Sequence, residues 1–233
     1  MSFELLTSRE NSCLIISFSL NNNENFISSD ICTAGIEALS TAEKDKDINS
    51  VILTCPENNF YQKIVNHNFE EKKIKFRNEN LDYFHSLIEI IYNFPKIIIS
   101  AFEGEIYGAG FSIILASDII ITSKQTVFYH NHFINNHSPF PGIVWFFTKL
   151  FSRQLINKML ISKSPLSSET LYNQGIICEL TNKGDTLSKA VDFCNNLKIE
   201  KLNEFEKNKT LIKEAAFVSY QEFLKIEKKI TIK

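Results

Sequence analysis

Glycine and proline are scarce, with seven and five in 233 residues. That excludes collagen-like or low-complexity chains and implies well-separated regular elements. Charge of one sign is also lacking. Lys+Arg number 25 against 27 Asp+Glu, a net charge of −2. No basic excess offers itself to nucleic acid or an anionic membrane surface. The five cysteines (Cys13, Cys32, Cys55, Cys178 and Cys194) form no CxxC pair and are odd in number. They read as buried thiols in a reducing compartment, not as a disulfide framework or zinc site. No apolar run is long enough to span a bilayer, and "MSFELLTSRE" lacks a cationic stretch followed by an apolar core. The expectation is a soluble cytoplasmic protein, with no nucleic-acid or membrane partner and no cofactor.

What is present is apolar patterning, 44% of the chain. "FELLT", "CLIISFSL" and "SVILTC" read as strands. Between the second and third, Ser29 or Asp30 caps a helix burying Ile31, Ile36 and Leu39. Strand, helix, strand is the unit of a parallel sheet, so the class is α/β. From Glu57 to Asn80 the chain is polar and reads as a long loop or flap. "NLDYFHSLIEIIYNF" lines up Leu81, Phe84, Ile88 and Ile91 on one helical face before Pro95 stops it. "KIIISAF" is a buried strand.

Three of the seven glycines crowd into "EGEIYGAGFSIILASDIII", Glu103 to Ile121. Gly108 and Gly110 at the start of a helix allow a sharp turn, and the amide of Ala109 at the helix N-terminus can face a negative oxygen. The alternative is that the two glycines only let the helix pack closely on the sheet.

After Asp118 come a strand, a histidine-rich connection and an aromatic helix starting near Pro141 and Gly142. Two helices, "SRQLINKML" and "SSETLYNQ", are followed by Gly175 as a terminator and by the short strand "GIICEL". "DTLSKAVDFCNNL" is a helix burying Leu187, Ala190, Val191, Cys194 and Leu197. From Lys201 onward the chain is charged and helical, with no glycine or proline.

"FPKIIISAFEGEIYGAGFSIILASDIIITSKQTVFYHNHF" resembles the enoyl-CoA hydratase/isomerase, or crotonase, superfamily. That family carries a Pro-x-Ile-Ala-Ala strand, a Gly-Gly-Gly segment and an Ala-Cys-Asp-Ile-x-Ile continuation. "KDKDINSVILTC" resembles the segment leading to its first oxyanion loop, and "LISKSPLSSETLYNQGIICEL" a later helical segment. The likeness runs from about Glu4 to Leu180. It implies a crotonase-like spiral of ββα turns, with a core over 1–198 and a C-terminal helical trimerisation region over 199–233. It also implies trimers or hexamers, and an acyl thioester on CoA or acyl carrier protein whose carbonyl oxygen lies between two backbone amides. The matching positions are Ala109 and, in "NNFYQKIVNHNF", Ile64, where "YQKIV" lacks the glycine of the family's loop.

The family's hydratases move water and a proton with two glutamates. Here the matching positions hold Ser112 and His132. Three histidines (His130, His132 and His137) crowd that region, and His132 is the residue expected to handle a proton. The main alternative is that these histidines are surface or packing residues in a loop; metal binding by "HNHFINNH" has no obvious carboxylate partner, and no metal site is expected. Tyr61 and Tyr107 are candidate donors or packing groups beside an acyl pocket. Phe140, Trp145 and Phe146 are expected to line it, with Gly108, Gly110 and Ser112 around the substrate. "VFYHNHFINNHSPFPG" resembles a polyketide-assembly branch of the family that decarboxylates glutaconyl-type thioesters. The leading expectation is decarboxylation or isomerisation through an enolate. A diverged hydratase using His132 and a catalytically silent homologue supporting a partner enzyme are the alternatives.

Overall fold

The computed structural model describes residues 4–19, 29–55, 59–60, 71–130, 142–162 and 164–231. Its larger sheet has six strands in the order β1-β2-β3-β5-β7-β10. These are β1 (Glu4–Glu10), β2 (Cys13–Ser19), β3 (Ser50–Thr54), β5 (Ile97–Phe102), β7 (Ile119–Ser123) and β10 (Glu179–Thr181). All neighbours run parallel except the β1–β2 hairpin. Every residue of β3 and β5 is buried, the continuous apolar run that a sheet covered on both faces requires.

Alternation sorts these strands onto two cores. Val51, Leu53, Ile98 and Phe102 face one side. That side is covered by α1 (Ser29–Lys44), α2 (Glu71–Asn93) and α3 (Gly108–Ala116). Ile52, Ile97, Ile99 and Ala101 face the other side, where α7 (Thr186–Asn195) contributes Ala190, Val191 and Cys194. Helix α1 approaches α2 closely because Gly35 has no side chain: a Cβ there would meet Leu87 Cδ1 at 3.1 Å.

The smaller sheet has the order β4-β6-β8-β9. It comprises β4 (Asn59–Phe60), β6 (Glu105–Tyr107), β8 (Val127–Tyr129) and β9 (Leu166–Ser167). Ile106, Phe128 and Leu166 point from it into the main core. Helices α4 (Ile143–Leu150), α5 (Arg153–Ile161) and α6 (Ser168–Asn173) separate the two sheets' later strands. The chain closes with α8 (Ile199–Ala215) and α9 (Tyr220–Thr231).

Several sequence expectations need correction. Residues 71–80 are the first turns of α2, not loop. "EKKIKFRNEN" has neither glycine nor proline and is rich in good helix formers, so the helix runs back through it. In "GIICEL" the strand starts only at Glu179; the amides of Ile176 and Ile177 instead bond back to the carbonyl of Leu171. Leu187 is exposed and Leu197 only half-buried, because the buried face of α7 runs through Thr186, Ala190, Val191 and Cys194. Four cysteines are buried, but Cys178 is exposed. The charged tail is two helices, broken before a capping box in which Ser219 and Glu222 bond to each other's backbone amides.

Candidate active site

Strand β6 delivers the chain into α3 through Gly108, whose φ of +46° is a left-handed conformation that side chains disfavour. Tyr107 is the N-cap residue, extended at φ −125° and ψ 145°, and no side chain caps the helix. The first-turn amides, Ala109 among them, have no acceptor within the helix. Phe111, Ile113, Ile114, Leu115 and Ala116 are all buried, so α3 is buried on every side. Its N-terminus opens at the carboxyl ends of parallel strands β6 and β8, the edge where open α/β sheets bind ligands.

Two tyrosines mark that edge. Tyr107 and Tyr129 are register partners across β6 and β8, with rings stacked at 4.2 Å and 10°. Both hydroxyls donate to Glu105, at 2.8 Å from Tyr107 and 3.1 Å from Tyr129. Burial first, and then the Glu105 hydrogen bond, holds the Tyr107 phenol well above its usual pKa; burial likewise raises Tyr129. Both phenols stay protonated donors at neutral pH. The sequence reading picked out Tyr107 but missed Glu105 and Tyr129. The period-2 spacing of Glu105 and Tyr107 on a short strand was the available signal.

Ser112, in the second turn of α3, is fully buried, and its hydroxyl has no hydrogen-bond partner among the described residues. His130 follows β8 directly and is 1% exposed. Its Nε2 lies 3.0 Å from the carbonyl oxygen of Met159 and 3.2 Å from that of Ser162. Both partners only accept, so the proton sits on Nε2 and Nδ1 is a bare acceptor. Nδ1 too is unpartnered among the described residues. Burial lowers the pKa of this ring below the ordinary 6.5, while the two carbonyl bonds pull it partly back.

The remaining expectations divide. Tyr107, Gly108, Ala109, Gly110 and Ser112 are brought together at the start of α3. Trp145 lies on α4 against Tyr92, Phe146 and Phe217. Tyr61, Ile64, His132, His137 and Phe140 lie outside the described residues. Among the described residues, no group of three or more His, Cys, Asp or Glu could hold a metal ion. No described helix is long and apolar enough to cross a membrane.

Comparison with known proteins identifies the family and the fold. The profile of the family described as Enoyl-CoA hydratase/isomerase matches residues 8–232. An enoyl-CoA hydratase from Polaromonas sp. JS666 superposes with a TM-score of 0.84 at 26% identity, covering 98% of this chain and 90% of that one. An enoyl-CoA hydratase from Bacillus anthracis gives a TM-score of 0.82 at 15% identity, covering 97% and 89%, and shows the fold alone. Among curated proteins, carnitinyl-CoA dehydratase of Salmonella typhi is 25% identical over 107 residues. That match takes in 46% of this chain and only 41% of the relative.

Proposed function

The chain belongs to the enoyl-CoA hydratase/isomerase family, and from that premise we propose that it acts on an acyl thioester, carried by CoA or an acyl carrier protein, through an enolate. The observation that carries this reading is the uncapped N-terminus of α3, which Gly108 turns out of β6. The Ala109 amide is the donor for the thioester oxygen. A preorganised donor of this kind contributes roughly 100- to 1,000-fold in rate. Ile64 is proposed as the second donor.

Decarboxylation or double-bond isomerisation, in polyketide or related secondary metabolism, is the reaction proposed. Ser112 and His132 stand where the family's two glutamates would be, so hydration by a carboxylate pair is unsupported. Loss of carbon dioxide forms the enolate without a base, and isomerisation needs one group that takes and returns a proton. Likeness to a carnitinyl-CoA dehydratase and to an enoyl-CoA hydratase favours a second reading, a diverged hydratase with a histidine in place of the acids.

The C-terminal helices are proposed as the contact between copies in a trimer or hexamer. Support comes from Ile212, Phe217, Tyr220 and Leu224, large apolar side chains left exposed on the last two helices and the turn between them.

Mass spectrometry of enoyl and glutaconyl thioesters, on CoA and on a carrier protein, tests the reading. Loss of carbon dioxide, or an unchanged mass with a shifted double bond, is the expected result. Gain of water would transfer support to the hydratase. No change with any thioester would favour a silent homologue that supports a partner enzyme.

A further inference from the structure

Buried polar groups in native proteins are nearly always paired, and leaving one unpaired costs about 1–3 kcal/mol. Ser112 Oγ and His130 Nδ1 are the two buried side-chain polar atoms without a partner among the described residues. They lie on elements that touch. Phe111, beside Ser112, and Phe128, two residues before His130, have ring centroids 5.0 Å apart. Strand β8, which ends at Tyr129 just before His130, pairs with β6, which leads into α3.

The two atoms are also complementary. With its proton held on Nε2 by two backbone carbonyls, His130 presents a lone pair and no hydrogen. Ser112 presents a hydroxyl able to donate. A ring oriented through one nitrogen, with the other left free, has the arrangement of a general base.

We propose that His130 is the base of this site, taking a proton from the α-carbon of a β,γ-enoyl thioester on Nδ1 and returning it to the γ-carbon. The inference rests on the thioester reading above. The electron pair of the broken C–H bond passes into a dienolate whose oxygen lies at the Ala109 amide. The imidazolium then gives its proton to the γ-carbon, and the conjugated thioester leaves with the same atoms it brought. Ser112 donates a hydrogen bond to the substrate. This choice favours isomerisation over decarboxylation, because a neutral ring with a bare Nδ1 has no proton to give an enolate. Burial favours the neutral ring, and no charged side chain among the described residues contributes to its shift.

The test is exchange of α-protons in heavy water, with a saturated acyl-CoA and with β,γ-hexenoyl-CoA as probes, beside direct measurement of their binding. His130→Gln keeps an N–H for the carbonyls of Met159 and Ser162 but has no basic nitrogen. Wild type is expected to exchange and to shift the double bond. His130→Gln should lose at least about 100-fold in both rates with binding retained, together with the acidic limb of the pH–rate profile. Ser112→Ala should keep that limb at a lower rate. A folded His130→Gln protein at the wild-type rate would overturn the inference. So would a wild-type enzyme that removes carbon dioxide or adds water without α-exchange, and the thioester reading would then survive. Wild type that binds no thioester would overturn both.

Discussion

Lys209 Nζ donates to Asp118 Oδ2 across 2.6 Å, tying α8 to the junction of α3 and β7. The same carboxylate oxygen accepts from the amide of Ile98 at 2.9 Å. Burial raises the Asp118 pKa and lowers that of Lys209, and their mutual attraction opposes both shifts. Each ion is therefore held in place by the other. Lys209→Ala leaves a buried carboxylate without its counter-ion and should cost about 3–5 kcal/mol. The double substitution Asp118→Asn with Lys209→Met removes both charges together and should cost less, read as the urea midpoint of each variant.

Glu105 supports two phenols at once. Glu105→Ala leaves both half-buried hydroxyls without that acceptor and should destabilise the fold by about 1–3 kcal/mol. Tyr107→Phe removes one bond and leaves Tyr129 paired, so its cost should be near 1 kcal/mol. Thermal melts of the two variants give the comparison.

Burial of neutral His130 makes stability depend on pH in a fixed direction. The unfolded chain takes up this proton near 6.5, before the folded chain does. Stability from this group is complete above that pH and declines as pH falls below it, with a limiting slope of about 1.4 kcal/mol per pH unit. Denaturant titrations of wild type and His130→Gln between pH about 5 and about 7 should diverge in slope. Parallel curves would contradict the burial of a neutral ring.

Cys178 is exposed and the other four thiols are buried. A thiol reagent should modify one cysteine quickly in the native protein and all five after denaturation. Cys178→Ser should abolish the fast phase.

Most of the larger sheet was legible because β1, β2, β3, β5 and β7 are five to seven residues long and rich in apolar residues. "SVILT" and "IIISAF" are buried on both faces; both read as strands, and the second as a buried one. The smaller sheet escaped because its strands span two or three residues, too few for a period to show. The start of α3 was legible in Gly108 and Gly110, and the left-handed φ of Gly108 gives the first of them a backbone cause. The polar groups around it were not. Glu105 meets Tyr129 only through a strand pairing between residues 24 apart. His130 is held by carbonyls of α5 and the residue that follows it, 29 and 32 residues away. Such tertiary partners leave no trace in local spacing.

The Ala109 amide is the feature on which the enolate chemistry depends, and Ala109→Pro removes that one N–H. In the first turn the substitution breaks no intrahelical hydrogen bond, so the helix should persist by circular dichroism. The decisive measurement is kcat/KM of Ala109→Pro against wild type on whichever thioester is turned over. A loss of roughly 100- to 1,000-fold, with the fold retained, is the expected result. An unchanged kcat/KM in a folded variant would contradict an oxyanion site at the start of α3.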